Sequence, residues 1–354
     1  MASTTVRTLA RDQILQLCRG DADARTLRLE VLAALQQVIG FDAYVWLITD
    51  PETSVGSAPL ADVPCLPELP RLIRLKYLTT VNRWTSVITP VVSLREATGG
   101  DLARSLMWRD LLCEYQIGDI ATSVYRDRFG CWAFLDLWRM RKAPPFAAAE
   151  LEFLHSIVGP LTTALRRSQA GAFAAGRAGE RPNEGPVVLL LSPALDVRAE
   201  TPQTQRYLRQ LLPPDAAGQA PVPAGAYNVA AQLLAREAGV DGNPALARVH
   251  LGSGHWLTLR AARMDSAQPV PERDIAVSIE ATAPGGRVSL FARACGLSSR
   301  EAELLDHLVT GAGTRDIARL MFLSEHTVQD HLKSIFAKTA TRTRRTLLAR
   351  VLGT

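Results

Sequence analysis

The stretch GLSSREAELLDHLVTGAGTRDIARLMFLSEHTVQDHLKSIF (296–336) marks its own helix boundaries. Ser298 and Glu301 stand at the spacing of a capping box, which opens a helix whose Leu304, Leu305, Leu308 and Val309 share one face. Gly311 and Gly313 end that helix. Thr314 is then placed to cap a short second helix carrying Ile317, Ala318 and Met321, and Ser324 to cap a third. A fourth helix, about 343–352, carries Leu347, Leu348, Val351 and Leu352. In the third helix, at 100° per residue, Val328, Leu332, Ile335 and Phe336 fall on one side. His326, Asp330, Lys333 and Ala337 lie opposite, flanked by Gln329 and Ser334.

A narrow apolar stripe holds such a helix to a scaffold and leaves a wide polar face free. A short helix, a tight apolar turn and a longer polar-faced helix make a helix-turn-helix unit. The polar face carries the groups that read base edges in a major groove: Gln for adenine, Asp for cytosine, Lys for guanine or phosphate. Ser324 and Thr327 sit at the positive end of the helix, which attracts phosphate. Residues 297–354 hold nine Lys/Arg against six Asp/Glu. A surplus of three gives one copy modest affinity for a phosphate backbone, so a homodimer is expected. The competing reading is a helical bundle that binds protein, which has no need of the Ser324-x-x-Thr327-Val328-x-x-His331 spacing.

Upstream, the chain is long enough for further domains: 354 residues, 47% of them hydrophobic. The expected class is α+β multidomain. Residues 7–39 have helical periodicity (Leu27, Val31, Leu32, Leu35, Val38), FDAYVWLITD (41–50) is strand-like, and DIATSVYRDRFGCWAFLDLWR (119–139) is a hairpin turning near 127–130. A helix at about 147–168 closes this first module (1–168). Residues 169–185, rich in Ala, Gly and charge, are expected to be a linker. A second α+β module (186–284) follows. It has two strands around Ser192-Pro193, helices near 202–212 and 224–237, a hairpin at 248–264 with Gly252-Ser253 as its turn, and a strand at 274–282. Residues 285–296 are expected to be a linker helix leading to the domain at 297–354.

The last segment resembles the DNA-binding domain of LuxR-type transcriptional regulators through Leu297, Arg300, Glu301, Ile317-Ala318, Ser324, Thr327-Val328, His331, Lys338 and Arg344. The resemblance implies four helices, with the third in the major groove and with Gln329, Asp330 and Lys333 facing bases. Ser324, Thr327, Val328, Lys338 and Arg344 complete the implied DNA-binding set, with Thr327, Lys338 and Arg344 at positions that contact the DNA backbone. The family usually shows Leu-Gly-Val after Lys338, where this chain has Thr339-Ala340-Thr341; a positive φ at Ala340 carries a cost that glycine avoids. The module order also resembles actinobacterial regulators of this type with a GAF-like sensor, DRFGCWAFLDLWR being the stretch most like them. The middle module is PAS-like in element order.

Trp84, Trp108, Trp132, Phe134, Asp136 and Trp138 are the candidate lining of a small-molecule pocket in the first module, a packed core being the alternative. Cys131, mid-strand, is read as structural; its alternative is a nucleophile in a GAF-like enzyme. His250 and His255 are read as an exposed cross-strand pair, and no third ligand suggests a metal. No cofactor is implied. GxxxxGK[ST], GxSxG and HExxH are missing, and the chain lacks the opening of a phosphoacceptor domain, so no enzyme is expected. Five scattered cysteines, a net charge of +5, a pI of about 9.1, no signal-peptide core and no long apolar run suggest a cytoplasmic protein with no membrane partner. The expected partners are double-stranded DNA, a second copy, RNA polymerase, and either a small-molecule effector or a controlling protein.

Overall fold

The computed structural model describes residues 4–173, 187–210, 223–251 and 255–353. Most of the expected linker and the Gly252-Ser253 turn lie outside them. The chain forms two compact units: Met1–Leu165 with Glu184–Val249 and Thr258–Glu280, and Arg166–Asn183 with His250–Leu257 and Ala281–Thr354.

The larger unit opens with α1 (Thr4–Arg19) and α2 (Ala24–Val38). Asp23 caps α2, its Oδ1 accepting from the amides of Arg25 and Thr26, and Leu27, Val31, Leu35 and Val38 are buried. Next come β1 (Ala43–Thr49), β2 (Gly56–Asp62), α3 (Leu69–Leu78), β3 (Val91–Ser93), the single turn α4 (Leu94–Ala97), β4 (Ile117–Asp127), β5 (Gly130–Met140) and α5 (Ala148–Gly171). The strands form one sheet in the order β2-β1-β5-β4-β3. β4 and β5 make the expected hairpin, and Gly130 is obligatory in its turn: φ is +151°, and a Cβ there would stand 2.3 Å from the Pro51 carbonyl oxygen. β2 was not expected. Pro59 lies within it and its exposure pattern is irregular, as suits an edge strand.

The second sheet holds β6 (Val187–Leu191), β7 (Val197–Glu200), β8 (Leu246–His250), β9 (Trp256–Arg263) and β10 (Ile275–Ala281), with α6 (Thr204–Gln210) and α7 (Ala224–Glu237) between β7 and β8. Its order, β7-β6-β10-β9-β8, repeats that of the first sheet: a hairpin, a helical crossover, then three strands of which the last returns beside the first.

Buried ion pairs tie the two modules inside the larger unit. Arg248 of β8 clamps Asp50 with Nε on Oδ2 at 2.7 Å and Nη2 on Oδ1 at 2.8 Å, and Nη2 also reaches Glu52 at 2.8 Å. Arg83 donates to Asp241 at 2.7 Å, with Thr85 adding a bond to the same oxygen. Thr53 donates to the Leu246 carbonyl at 2.6 Å.

In the smaller unit, α8 (Pro284–Ala294) precedes α9 (Ser299–Val309), α10 (Thr314–Leu320), α11 (Glu325–Thr339) and α12 (Arg344–Leu352). The capping box of Ser298 and Glu301 forms as expected. Thr314 does not cap α10; Gly313 occupies the cap position, with extended backbone and no side-chain bond. Among the described residues no helix is long and apolar enough to cross a membrane.

Candidate nucleic-acid interface

Ser324 caps α11: its Oγ accepts from the Thr327 amide at 3.1 Å and pairs with the Thr327 hydroxyl at 2.9 Å. Val328 and Ile335 are 0% exposed and Leu332 is buried, so the apolar stripe anchors the helix. Val328 therefore departs from the implied DNA-contacting set. Its side chain is wholly inside the domain and holds α11 in place.

His326, Gln329, Asp330 and Lys333 are exposed on the free face. Lys333 bonds Asp330 at 3.1 Å, and this keeps the Asp330 carboxyl below its usual range. His326 Nε2 lies 3.5 Å from the same carboxylate. Gln329 reaches the Thr314 hydroxyl at 3.4 Å. Exposed pairs of this kind are worth little and exchange partners readily, so the face can offer acceptor, donor and cation to base edges.

Lys338 and Arg344 are engaged within the domain. Lys338 Nζ lies 2.6 Å from Glu301 Oε2, which also accepts from the Ser298 amide at 2.6 Å; Oε1 accepts from Ser334 at 2.6 Å. Glu301 is buried, and although burial opposes ionisation, the bonds from Lys338, Ser334 and Ser298 bring its pKa down to about 2. One carboxylate thus joins the start of α9 to the last turns of α11. The capping-box spacing revealed the local half of this role; the bonds to Ser334 and Lys338 depend on the packing of α9 against α11. Arg344 donates to the Ala312 carbonyl in the turn between α9 and α10.

Ala340 ends α11 in the left-handed region, φ 49° and ψ 39°. A residue with a Cβ pays about 1–2 kcal/mol there. Ala340→Gly is expected to stabilise the domain by about 0.5–1 kcal/mol, part of the relief being offset by the freer unfolded chain. Amide exchange on α11 and α12 measures it, and slower-exchanging amides are the expected outcome.

The six residues expected to line a pocket form a packed core instead. Trp84, Trp132 and Trp138 are at most 1% exposed, Phe134 and Asp136 are buried, and Trp108 is half-buried. The cover comes from the chain: Lys76 of α3 bonds Asp136 Oδ2 at 2.6 Å, and Thr122 bonds Oδ1 at 2.7 Å. Trp84 stacks on Phe134 at 4.5 Å, with the Lys76 ammonium near both rings. Trp132 donates its indole N–H to Asp127, and Trp108 to the Ile117 carbonyl.

Cys131 is buried, and burial raises its pKa, the reverse of an activated nucleophile. All five cysteines are free. His250 is half-buried rather than exposed, and among the described residues its Nε2 has no hydrogen-bond partner. Burial first, then the charges of Arg287 and His255, push its pKa down to about 4. No group of three or more potential metal ligands occurs among the described residues.

Two curated relatives match part of the chain: the "Probable csgAB operon transcriptional regulatory protein" of Salmonella typhimurium and the "CsgBAC operon transcriptional regulatory protein" of Escherichia coli. Each is 46% identical over 48 residues, which is 14% of this chain and 22% of the relative. The chain thus aligns with about a fifth of the length of these relatives. Residues 296–351, spanning α9 to α11 and nearly all of α12, match the family described as bacterial regulatory proteins, luxR family.

Proposed function

We propose that this protein is a sequence-specific, DNA-binding transcriptional regulator whose two upstream α+β modules control the luxR-type domain at its carboxyl end. The observation that carries this reading is the free face of α11: Gln329, Asp330 and Lys333 exposed together above a stripe that is buried, beside a capped amino end bearing Ser324 and Thr327. The relatives' names point to the same activity. The face enters the major groove of double-stranded DNA, and Ser324 and Thr327 lie against phosphate. The protein acts in the cytoplasm as a homodimer, with RNA polymerase as a further partner. Leu347 and Val351 of α12 are consumed by the domain's own core, while Leu348, Ala349 and Leu352 line an open face with Arg344 and Arg345, where a second copy would seat. The operator is then an inverted repeat with half-sites about one helical turn apart.

The GAF-like and PAS-like assignments draw support from the shared strand order of the two sheets. The input is a small molecule or a protein partner. The Asp136 carboxylate is satisfied by Lys76 and Thr122, which favours a protein partner as the controlling signal.

Two lysines test the assignment of α11. Lys333→Ala is expected to weaken specific binding by about 1–3 kcal/mol and to relax preference at one base position. Lys338→Ala is expected to act mainly through stability, because it strips Glu301 of its cation. Binding isotherms on a selected fragment and on its scrambled version check this. Equal, sequence-blind losses from both variants contradict the assignment.

A further inference from the structure

Arg287 lies on α8, yet its side chain reaches the carboxyl end of α12. Nε donates to the Val351 carbonyl at 2.6 Å, and Nη2 to the Arg350 carbonyl at 3.2 Å. The last carbonyls of a helix have no partner inside it, and a cation there also opposes the negative end of the helix dipole. Gly353 permits the approach: its φ is +74°, and a Cβ would stand 3.0 Å from Cζ and Nη2 of Arg287. Arg287 itself is buried.

The guanidinium sits over one aromatic ring of a cluster. Its Cζ lies 5.0 Å over the Phe173 ring. Phe173 stacks on Trp256 with centroids 4.9 Å apart and meets Phe291 edge-on at 5.2 Å. The His250 ring lies 5.1 Å from Trp256. The rings come from separate stretches of chain. Phe173 stands two residues past α5, Trp256 opens β9, His250 ends β8, and Phe291 lies one turn beyond Arg287 on α8. Among the described residues the Trp256 indole N–H has no hydrogen-bond partner, and its ring packs on Phe173.

We infer that Arg287 is the positioning residue through which the end of α5 and the facing ends of β8 and β9, at His250 and Trp256, govern α12, the Phe173 ring, itself stacked on Trp256, holding its guanidinium as the cap of that helix. A shift at either end moves a ring, the ring moves the guanidinium, and the last turn of α12 gains or loses its cap. The regulatory meaning rests on the proposal that α12 pairs two DNA-binding domains.

A mutant cycle in the full-length protein tests this. Arg287→Met is expected to speed amide exchange in the last turn of α12 about five- to tenfold, the size of effect a helix-end cation has. Arg287→Lys, which can still donate to the carbonyls, should recover part of the protection. Phe173→Leu and Trp256→Leu should each speed the same amides, and Phe173→Leu should add nothing in the Arg287→Met background. Protection unchanged in Phe173→Leu, or effects that add in full, would overturn the coupling. On a DNA fragment recovered by the wild-type protein from genomic DNA, Arg287→Met should bind less cooperatively; wild-type cooperativity with a frayed α12 would overturn the regulatory role. Should the wild-type protein recover no fragment, the DNA-binding reading fails, while the exchange cycle still decides the coupling.

Discussion

Arg248→Ala is expected to destabilise the larger unit by about 3–5 kcal/mol, because it leaves a buried carboxylate without its cation. Asp50 accepts three bonds from Arg248, from the backbone amide, Nε and Nη2, and its side chain is 0% exposed. Alanine keeps the amide and removes the charge. Urea denaturation followed by tryptophan fluorescence reads the loss, since the first module holds five of the six tryptophans. The double variant Asp50→Leu/Arg248→Met should recover most of the stability, as buried pairs replaced by apolar groups of similar volume often do. An alanine variant as stable as wild type would show that the clamp does not unite the modules.

That clamp shows where the sequence stops being informative. Asp50 ends a legible strand and Arg248 begins a legible hairpin, but 198 residues separate them and nothing local pairs them. The helices at 7–39 and 147–168, the hairpin at 119–139 and the caps at Ser298 and Ser324 were legible because each depends on nearby residues: helical spacing, a turn glycine, a hydroxyl three residues before an amide. The aromatic face of β5 was legible as a face. Its cover was not, because Lys76 comes from a helix 60 residues away. In the domain that matches the luxR family the exposed set Gln329, Asp330 and Lys333 followed from periodicity, as did the buried stripe. Lys338 and Arg344 were legible only as charges, and their inward partners depend on how α9, α11 and α12 pack.

Glu301→Ala should have a comparable effect on the smaller unit. It removes the acceptor of the Ser298 amide, the Ser334 hydroxyl and the Lys338 ammonium together, and a loss of about 3 kcal/mol is expected. The same group gives the domain an acid limit. Its folded pKa, about 2, lies below the ordinary 4.5, so its contribution is fully present above pH 4.5 and is lost as pH falls toward 2. His250 acts in a higher window. Its folded pKa of about 4 lies below 6.5, so the folded state resists protonation and stability declines as pH drops from 6.5 to 4. Denaturation of the full-length protein at a series of pH values separates the two. Glu301→Ala should flatten the slope below pH 4.5 and leave the slope above it intact. Slopes in Glu301→Ala that match wild type at every pH would contradict the role given to this carboxylate.

The central claim, that the exposed face of α11 reads DNA sequence, is tested most directly by selecting bound fragments from genomic DNA with the full-length protein and with the triple variant Gln329→Ala/Asp330→Ala/Lys333→Ala. These three side chains are exposed and α11 is anchored by Val328, Leu332 and Ile335, so the variant should fold as wild type does. Wild-type protein is expected to enrich fragments sharing an inverted repeat, and the variant to enrich no common sequence while keeping weak, salt-sensitive binding. Enrichment of the same sequence by both proteins, or of none by the wild type, would contradict the claim.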